Sequence, residues 1–498
     1  MEMKRKNCSF LADSRVAVTR LTEARYPELP PFNPEKNYPE HGDTAIHGSN
    51  PVYSGVRQLF RLLGLDTAKF GRTEWNPLGS IIRPGDTVLL KPNLIAESHK
   101  YRPDEWQQII THPAVVRAVL DYVLLALKEK GKVIVADGPQ YDSNWDLIVK
   151  SSGLFAVIED AQKRSRVPIE LLDLRDYWQD SRGDVIYRRV SLPGDPKGAR
   201  EIDLREASEF VGHTGVGRYY GSDYDQKETN YCHSNGRHVY KICATAADVD
   251  VLINLPKMKT HKKVGVTLSL KNLVGINAGR NYLPHHTDGT PTTGGDQFPY
   301  KSFSSSSERI GIRWLQRLTL SCPLLMAPFY RMVKKVFSQF YGNSQKVIRS
   351  GNWFGNDTAW RMVLDINKIL MYSNGGRFPA DKPKRFLSII DGVIAGEGEG
   401  PLCADPLPVG VLFGSFNPLA VDCVATHLMG FDIRLIPTLT RGFQIRRFPL
   451  AQFDEGQIQV ISDVKEWNKR LLDISLEHCF SFIPNVGWAG HIERKGPC

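Results

Sequence analysis

The sequence lacks any pair of cysteines at a spacing that binds zinc or an iron–sulfur cluster. The eight cysteines of the 498-residue chain stand singly, and no CxxC occurs. A zinc ribbon and a ferredoxin-type cluster motif are therefore excluded. Scattered cysteines in a chain of this size favour reduced, buried thiols and a cytoplasmic protein.

Long apolar runs are missing as well. No stretch approaches the length needed to span a bilayer, and the charged start MEMKRKNCSFLADSR lacks the apolar core of a signal peptide. Both absences again favour a cytoplasmic location. Neither a P-loop nor a dinucleotide fingerprint occurs, so the sequence predicts no nucleotide site.

A surplus of positive charge is what the composition does contain. Lysine and arginine number 64 against 54 acids, which gives a net charge of +10 and a pI of about 9.1. This balance suits acidic partners such as nucleic acid, anionic lipid or phosphorylated metabolites. Nucleic acid is the least favoured, because the main basic segment has no interleaved aromatic residues for base stacking.

Short apolar runs alternate with helical patterns from residue 81 onward, and runs such as VIVADGP and LSIIDGV end at Asp-Gly. This alternation predicts an α/β fold with two Rossmann-like parallel-sheet units, an intervening insertion and a long loop. We expect an N-terminal wrapping segment (1–80), a first α/β unit (81–300), a helical insertion (301–380) and a second α/β unit with a C-terminal tail (381–498).

One segment, VDVLINLPKMKTHKKVGVTLSLKNLVG at 249–275, carries the strongest functional signal. An apolar strand ends at Asn254, and a basic loop is predicted to follow it. Positive charge at the carboxyl end of a sheet strand predicts an anion site. A solvated basic loop is the alternative. The candidate anion ligands here and in the earlier KPN motif are Lys91, Lys257, Lys259, Lys262, Lys271 and Asn272.

Four residues are candidates for catalysis. His261 lies among lysines, so we expect it to stay neutral near pH 7 and to exchange protons with a substrate or bind a metal. Lys263 alternates with it and would project on the same side of an extended segment. Asp137 and Asp391 each end an apolar run and could be the second proton-transfer group or a metal ligand. The alternatives are a surface histidine and two turn aspartates.

Two further segments could hold a divalent metal. In LPHHTDGTPTTGGDQ, either His285 or His286 could bind a metal together with Asp296, and a glycine-rich lid is the alternative. In GEGEGP, Glu397 and Glu399 offer two carboxylates. The pattern does not identify the metal, and the cofactor stays unknown.

A basic and aromatic segment at 308–335 is a candidate for peripheral membrane contact. It holds six Lys or Arg residues and one acid, with tryptophan, leucine and phenylalanine between them. Such a segment could lie in a membrane interface and bring an enzyme to a lipid-linked substrate. Surface helices packed on the core are the alternative.

Several motifs together carry a resemblance to a known family. KPN, THPAVVRAVLDY, VIVADGPQ, INLPKMKTHKKVGVTLSLKNLVGIN, IIDGVIAGEGEGP and NPLAVDCVATHLMG resemble the family called domain of unknown function 362, over roughly residues 76–431. The longer form, with LPHH, GGDQFP and GNDTAWRMVLDINKIL, is similar to members associated with bacterial surface-polysaccharide gene clusters. Many relatives are labelled iron–sulfur proteins, and the cysteines here do not support that label.

The family is also distantly similar to the nickel-dependent lactate racemase, a two-domain α/β enzyme. There, Lys and His surround a nickel–nucleotide cofactor, and the resemblance points to His261 and Lys263 as the positions to test.

The sequence as a whole predicts an enzyme that acts on a phosphorylated or carboxylated metabolite. The resemblance implies a place in surface-polysaccharide biosynthesis. Isomerisation, epimerisation and hydrolysis are all open. A non-catalytic accessory or redox-partner protein is the alternative function. The expected partners are a small anionic metabolite and, through residues 308–335, a membrane surface.

Overall fold

The computed structural model describes residues 10–42, 48, 50–182, 185–221, 226–300, 328–329, 332, 348, 350–380 and 382–495. The predicted membrane contact at 308–335 falls outside these residues apart from three isolated positions. Among the described helices, none combines the length and the apolar character needed to cross a bilayer.

The chain alternates strands with helices over most of its described length. The strands are β1 (Arg15–Arg20), β2 (Thr87–Pro92), β3 (Lys132–Asp137), β4 (Ile169–Asp173), β5 (Tyr177–Arg182), β6 (Val185–Ser191), β7 (Ala199–Asp203), β8 (Tyr219–Tyr220), β9 (Val239–Cys243), β10 (Val251–Leu255), β11 (Lys257–His261), β12 (Gly265–Thr267), β13 (His286–Thr287), β14 (Arg385–Glu399), β15 (Cys403–Ser415) and β16 (Gln459–Ser462). The helices are α1 (Pro51–Leu62), α2 (Pro113–Leu127), α3 (Trp145–Ser151), α4 (Leu154–Arg164), α5 (Gln226–Cys232), α6 (Ala244–Asp248), α7 (Ser269–Asn272), α8 (Ala359–Met371), α9 (Pro418–Leu428) and α10 (Pro437–Gly442).

A ten-stranded mixed sheet forms the centre of the fold. Its spatial order is β16-β1-β15-β14-β10-β2-β3-β4, and β11 pairs with both β14 and β12. The pairs from β14 through β10, β2 and β3 to β4 are parallel, whereas β14–β15 and β1–β15 are antiparallel. The predicted Rossmann-like α/β class is confirmed. Strands of the two predicted units pair directly at β10–β14, so both units contribute to one sheet.

Apolar side chains on both faces of the central strands explain why this sheet is buried. Along β10, Leu252 packs into one hydrophobic cluster, and its neighbours Val251 and Ile253 pack into a second cluster on the opposite face. Helices α8 and α9 cover the first face, and α1 and α2 cover the second. A near-continuous apolar strand of this kind is typical of a parallel sheet enclosed between helices.

A segment that we predicted as a loop is a strand. The basic segment after β10 forms β11, which pairs in parallel with β14 and antiparallel with β12. The loop prediction was wrong because pairing across the sheet supplies the backbone hydrogen bonds that this polar sequence needs, whatever its local composition. The GEGEGP segment likewise continues β14 as far as Glu399 and pairs with β15.

The order of the strands reverses direction next to β2, which makes this place a topological switch point of the sheet. The chain runs outward from β2 through β3 to β4, and then returns to β10 on the other side of β2. In open α/β sheets, ligands bind in the crevice beyond the carboxyl ends of the strands where the order reverses. Here that crevice lies beyond Pro92, Asp137 and Leu255, the last residues of β2, β3 and β10.

A fully buried ion pair joins β11 to β14. Lys257 Nζ lies 3.1 Å from Asp391 Oδ2, and both side chains are fully buried. The Tyr26 hydroxyl donates to Asp391 Oδ1 at 2.5 Å and accepts from Lys257 at 2.6 Å. The backbone N–H groups of His112 and Val393 also donate to Asp391. Asp391, which we expected to be catalytic, and Lys257, which we expected to bind an anion, instead satisfy each other inside the sheet.

We predict that Asp391→Asn destabilises the protein by about 3–5 kcal/mol, because it leaves the Lys257 ammonium buried without a counter-charge. The measurement is urea unfolding of the full chain. The matched control is Asp405→Asn on the neighbouring strand β15, which breaks an exposed ion pair with Arg102. We expect this control to lower the free energy of unfolding by about 1 kcal/mol or less. Equal unfolding midpoints for the two variants would contradict the prediction.

Candidate functional site

A cavity of about 300 Å³ lies at the switch point. It is formed by the carboxyl ends of β2 and β3, by the β11–β12 hairpin, by α7 and by the segment that follows α7. The residues of its lining that could bind or react are Lys91, Asn93, Asp137, Lys259, His261, Lys262, Lys263, Lys271, Asn272, Arg280 and His285. Most of the site residues expected from the sequence thus meet in one cavity.

Positive charge dominates this cavity. Six cationic side chains line it, against the carboxylates of Asp137 and Asp142. Asp142 is exposed at the surface, and Asp137 is already paired with Lys91, 2.7 Å from its Nζ. Lys259, Lys262, Lys263, Lys271 and Arg280 therefore face the cavity without an acid of their own inside it.

Donors surround the carboxylate of Asp137, which we expected to be the second proton-transfer group or a metal ligand. Its Oδ1 accepts from Lys91 Nζ at 2.7 Å and from the Gly138 N–H at 2.9 Å. Its Oδ2 accepts from the Leu94 N–H at 2.7 Å. Both carboxylate oxygens are thus engaged in hydrogen bonds. Asp137 therefore positions Lys91 and the end of β3.

Gly275 makes room for this ion pair. A Cβ at position 275 would lie 2.3 Å from Asp137 Oδ1 and 3.1 Å from Lys91 Nζ. The first distance is far below van der Waals contact, so a side chain there would displace the carboxylate. The backbone at Gly275 thus forms one wall of the cavity because it carries no side chain.

Polar side chains hold α7 against the strands. Asp422 on α9 accepts hydrogen bonds from the N–H groups of Ser269 and Leu270 at 2.7 and 2.8 Å. The Asn272 side-chain amide donates to the Asn254 side chain at 2.7 Å and to the Lys91 carbonyl at 3.2 Å. Asn272, which we expected to contact an anion, therefore orients Lys91 and fixes the end of α7.

Burial and mutual repulsion lower the pKa values of the cavity lysines. Burial, followed by the neighbouring Lys262 charge, lowers the pKa of Lys263 to about 7. Burial, followed by the Arg280 charge, lowers the pKa of Lys271 to about 8. The pKa of Lys259 falls well below its usual value, first through burial and then through Lys257. An anion in the cavity would relieve this repulsion.

Two histidines of the cavity present opposite hydrogen-bonding groups to it. His261 Nδ1 accepts from the Lys263 N–H at 3.0 Å, so its proton resides on Nε2. His285 Nδ1 donates to the Leu283 carbonyl at 2.8 Å, which leaves a lone pair on its Nε2. Burial lowers both pKa values, that of His285 to about 3, so both rings are neutral near pH 7. One ring carries a free hydrogen-bond donor and the other a free acceptor.

The remaining residues predicted as metal ligands lie apart and are engaged elsewhere. His286 stacks on Tyr220, with ring centroids 4.5 Å apart. Asp296 accepts from the Thr287 and Asp357 N–H groups and from the Thr358 hydroxyl. Within the described part of the chain, no three His, Cys, Asp or Glu residues form a group suited to a metal. A metal held by His285 or His286 with Asp296 stays a prediction.

Glu397 and Glu399, the other predicted ligands, hold the C-terminal segment against the β14–β15 hairpin. Glu397 accepts from the Ile483 N–H at 2.8 Å. Glu399 accepts from the Asn485 side chain and from the Val486 N–H. Their carboxylates thus have a structural role.

Arg280, Tyr141 and Tyr177 are lining residues that the sequence motifs did not predict. Arg280 donates to the Gly138 carbonyl at 2.7 Å and lies over the Tyr141 ring at 4.6 Å. Tyr141 stacks on Tyr177, with centroids 4.0 Å apart. Arg280 and Tyr141 stand close to predicted motifs and could have been suspected. Tyr177 lies in β5, where no local pattern connects it with the site.

The chain belongs to the family described as "Domain of unknown function (DUF362)", which matches residues 88–200 and 201–427. It is similar to the thylakoid-associated protein sll1697 of Synechocystis sp. (strain ATCC 27184 / PCC 6803 / Kazusa). The two are 23% identical over 383 residues, which cover 76% of this chain and 75% of that protein.

Two solved structures show a fainter likeness. A protein from Thermotoga maritima matches with a TM-score of 0.30 and 8% identity, over 70% of this chain and 55% of that one. The lactate racemase apoprotein from Thermoanaerobacterium thermosaccharolyticum matches with a TM-score of 0.27 and 11% identity, over 70% and 49%. The match thus spans about half the length of each solved structure. Nothing about the site follows from TM-scores this low.

We predict that Gly275→Ala weakens anion binding in the cavity and lowers the free energy of unfolding by about 1–3 kcal/mol, because the new methyl group displaces Asp137 from Lys91. Sulfate titration calorimetry and urea unfolding measure the two effects. Gly414→Ala is the matched control, since its Cβ would meet its nearest atom at 3.5 Å. If the two variants behave alike, the steric role of Gly275 is refuted.

Proposed function

We propose that this protein is an enzyme that binds a small anionic metabolite in the switch-point cavity and moves a proton on it. The observation that carries this proposal is the set of cavity cations without acid partners inside the cavity. Lys259, Lys263 and Lys271 are held on a strand, a hairpin and a helix of the sheet core, where burying their charge is costly unless an anion offsets it.

The size of the cavity supports a metabolite over a polymer. A volume of about 300 Å³ lies at the lower end of the range for small-molecule sites. A phosphate or carboxylate group can accept hydrogen bonds from several lysines at once. The cavity therefore suits a phosphorylated or carboxylated compound of a few carbon atoms.

The hydrogen-bonding states of His261 and His285 indicate which class of reaction the cavity favours. His261 Nε2–H can donate a hydrogen bond to an oxygen of the substrate, and His285 Nε2 can accept a proton in the same cavity. A hydrogen-bond donor and a base in one site allow a proton to leave a carbon of the substrate while the charge that develops on oxygen is stabilised, as isomerisation and epimerisation require. Of the reactions left open by the sequence, these two fit the histidine pair best.

Two broader parts of the proposal rest on resemblance. A place in surface-polysaccharide biosynthesis stays a prediction from the motifs LPHH and GGDQFP. Membrane association stays a prediction as well, and the thylakoid-associated relative and the basic segment 308–335 support it. Flotation of the full chain with vesicles containing phosphatidylglycerol would test the second.

We predict that the cavity binds sulfate, a dianion whose charge is constant from pH 6 to 9, and that the affinity falls as the pH rises. Lys263 and Lys271, with pKa values of about 7 and 8, are charged at pH 6 and neutral at pH 9. Each lost charge removes a charge-assisted hydrogen bond worth about a factor of ten in affinity. Titration calorimetry at the two pH values measures the change.

Lys271→Gln should weaken sulfate binding at pH 6 by about tenfold. Lys132→Gln is the matched control, because Lys132 begins β3 at its opposite end and pairs with Glu170 on the surface. Equal affinities for both variants, or an affinity that rises with pH, would contradict an anion site in this cavity.

We predict that His261→Gln and His285→Gln each abolish proton exchange on the substrate but leave sulfate binding within about threefold of wild type. The measurement is deuterium incorporation from D₂O into a mixture of phosphorylated and carboxylated metabolites, followed by mass spectrometry. Exchange that persists in both variants would show that the reaction needs neither histidine.

A further inference from the structure

Among the described residues the side chain of Lys271 has no hydrogen-bond or ion-pair partner, whereas three other cavity lysines have one. Lys91 pairs with Asp137, Lys259 donates to the Ile109 carbonyl, and Lys263 donates to the Ser350 carbonyl. Lys271 is half-buried, and within the described residues it has only longer-range electrostatic neighbours. Its amine is therefore open to the cavity.

The backbone that carries this amine is fixed at both ends. Asp422 binds the first two N–H groups of α7, and Asn272 binds Asn254 and the Lys91 carbonyl immediately after Lys271. A short element fixed on both sides places its side chain reproducibly, which is a requirement for a reacting group. Lys262, the other cavity lysine without a partner among the described residues, has Lys100 and Glu399 as charged neighbours beside the β14–β15 hairpin.

We propose that Lys271 forms an imine with a carbonyl carbon of the substrate, which makes the substrate an anionic aldehyde or ketone such as an oxo acid or a phosphorylated carbonyl compound. This inference rests on the proposed function, because the same cavity must first bind the anion. It assigns a covalent role to a lysine that the sequence suggested only as an anion ligand.

The step is balanced without any further reagent. The lone pair of neutral Lys271 Nζ attacks the carbonyl carbon, and the carbonyl π electrons move to oxygen. One proton moves from the attacking nitrogen to that oxygen, which gives a carbinolamine. Its hydroxyl group takes a second proton from solvent and leaves as water, with a hydrogen bond from His261 Nε2–H to the departing oxygen, and a protonated C=N bond remains. The iminium form withdraws electrons from the adjacent C–H bond, whose proton His285 Nε2 can accept. Hydrolysis by one water molecule releases the product and restores the amine.

The local charge supports this chemistry. With a pKa of about 8, about a tenth of Lys271 is neutral at pH 7, compared with about one in 3,000 for an ordinary lysine. Burial and a neighbouring cation are the two means by which proteins activate a lysine as a nucleophile. Here the neighbouring cation is Arg280, which also remains available to bind the anionic group of the substrate.

The test is reductive trapping of the wild-type protein with glyoxylate, a small anionic aldehyde, and cyanoborohydride at pH 7. Peptide mapping by mass spectrometry measures the rate of carboxymethylation at each lysine. We expect Lys271 to react at least about tenfold faster than the surface residue Lys132. Sulfate should slow the reaction at Lys271 and leave Lys132 unaffected. Acetaldehyde, a neutral aldehyde, should show much weaker selectivity.

The outcomes separate the two proposals. Selective, sulfate-sensitive trapping at Lys271 supports the imine, and Lys271→Arg should then lose the fast adduct while still binding sulfate. Sulfate binding without selective trapping at Lys271, or with trapping mainly at Lys263, overturns the imine and leaves the proposed function standing. Failure of sulfate to bind at pH 6 overturns the proposed function itself.

Discussion

The structure depends on how it offsets the charge of lysines placed inside a sheet. Two of them, Lys91 and Lys257, are fully buried. Lys91 pairs with Asp137 at 2.7 Å, and Lys257 pairs with Asp391 at 3.1 Å. Removing an ammonium from water costs several kcal/mol, which a close, fully hydrogen-bonded carboxylate can offset. These pairs fix the ends of β2 and β3 and the contact between β11 and β14, and so they shape the walls around the cavity.

Lys259 and Lys271 also lose hydration in the cavity, but no carboxylate pairs with them among the described residues. Lys259 is fully buried and its ammonium donates to a backbone carbonyl, and the amine of Lys271 contacts neither an acid nor a carbonyl among the described residues. The protein therefore stores electrostatic repulsion at one place in the fold. Sites that keep such a repulsion are commonly functional, because the ligand or the reaction relieves it.

The sequence predicted the class of fold and the neighbourhood of the site for a clear physical reason. Apolar runs that end in polar residues identify parallel strands and their carboxyl ends, and this brought Lys91, Asp137, Lys259 and His261 together. The roles of individual residues were harder to predict. Asp137 and Asp391 follow the same Asp-Gly pattern, yet one lines the cavity and the other is sealed inside the sheet, because the difference lies in which strands are neighbours.

Dependence on contacts between distant parts of the chain also explains why the roles of other residues differ from those predicted. The sequence suggested Glu397 and Glu399 as metal ligands, but their carboxylates accept hydrogen bonds from the C-terminal segment. His285 was suggested as a metal ligand and not as a base, since its tautomer depends on the Leu283 carbonyl. Tyr177 comes from a distant hairpin that no local pattern connects to the cavity. Contacts between residues far apart in the chain decide each of these cases.

The continuous pairing of β10 with β14 has a consequence for how a substrate reaches the cavity. Register partners run from Val251 with Arg385 to Asn254 with Ser388, so the backbone ladder crosses directly between the two halves of the fold. A hinge that opened the two halves like a clamshell would have to break this ladder. Any motion that admits a ligand to the cavity therefore leaves the pairing of β10 with β14 in place.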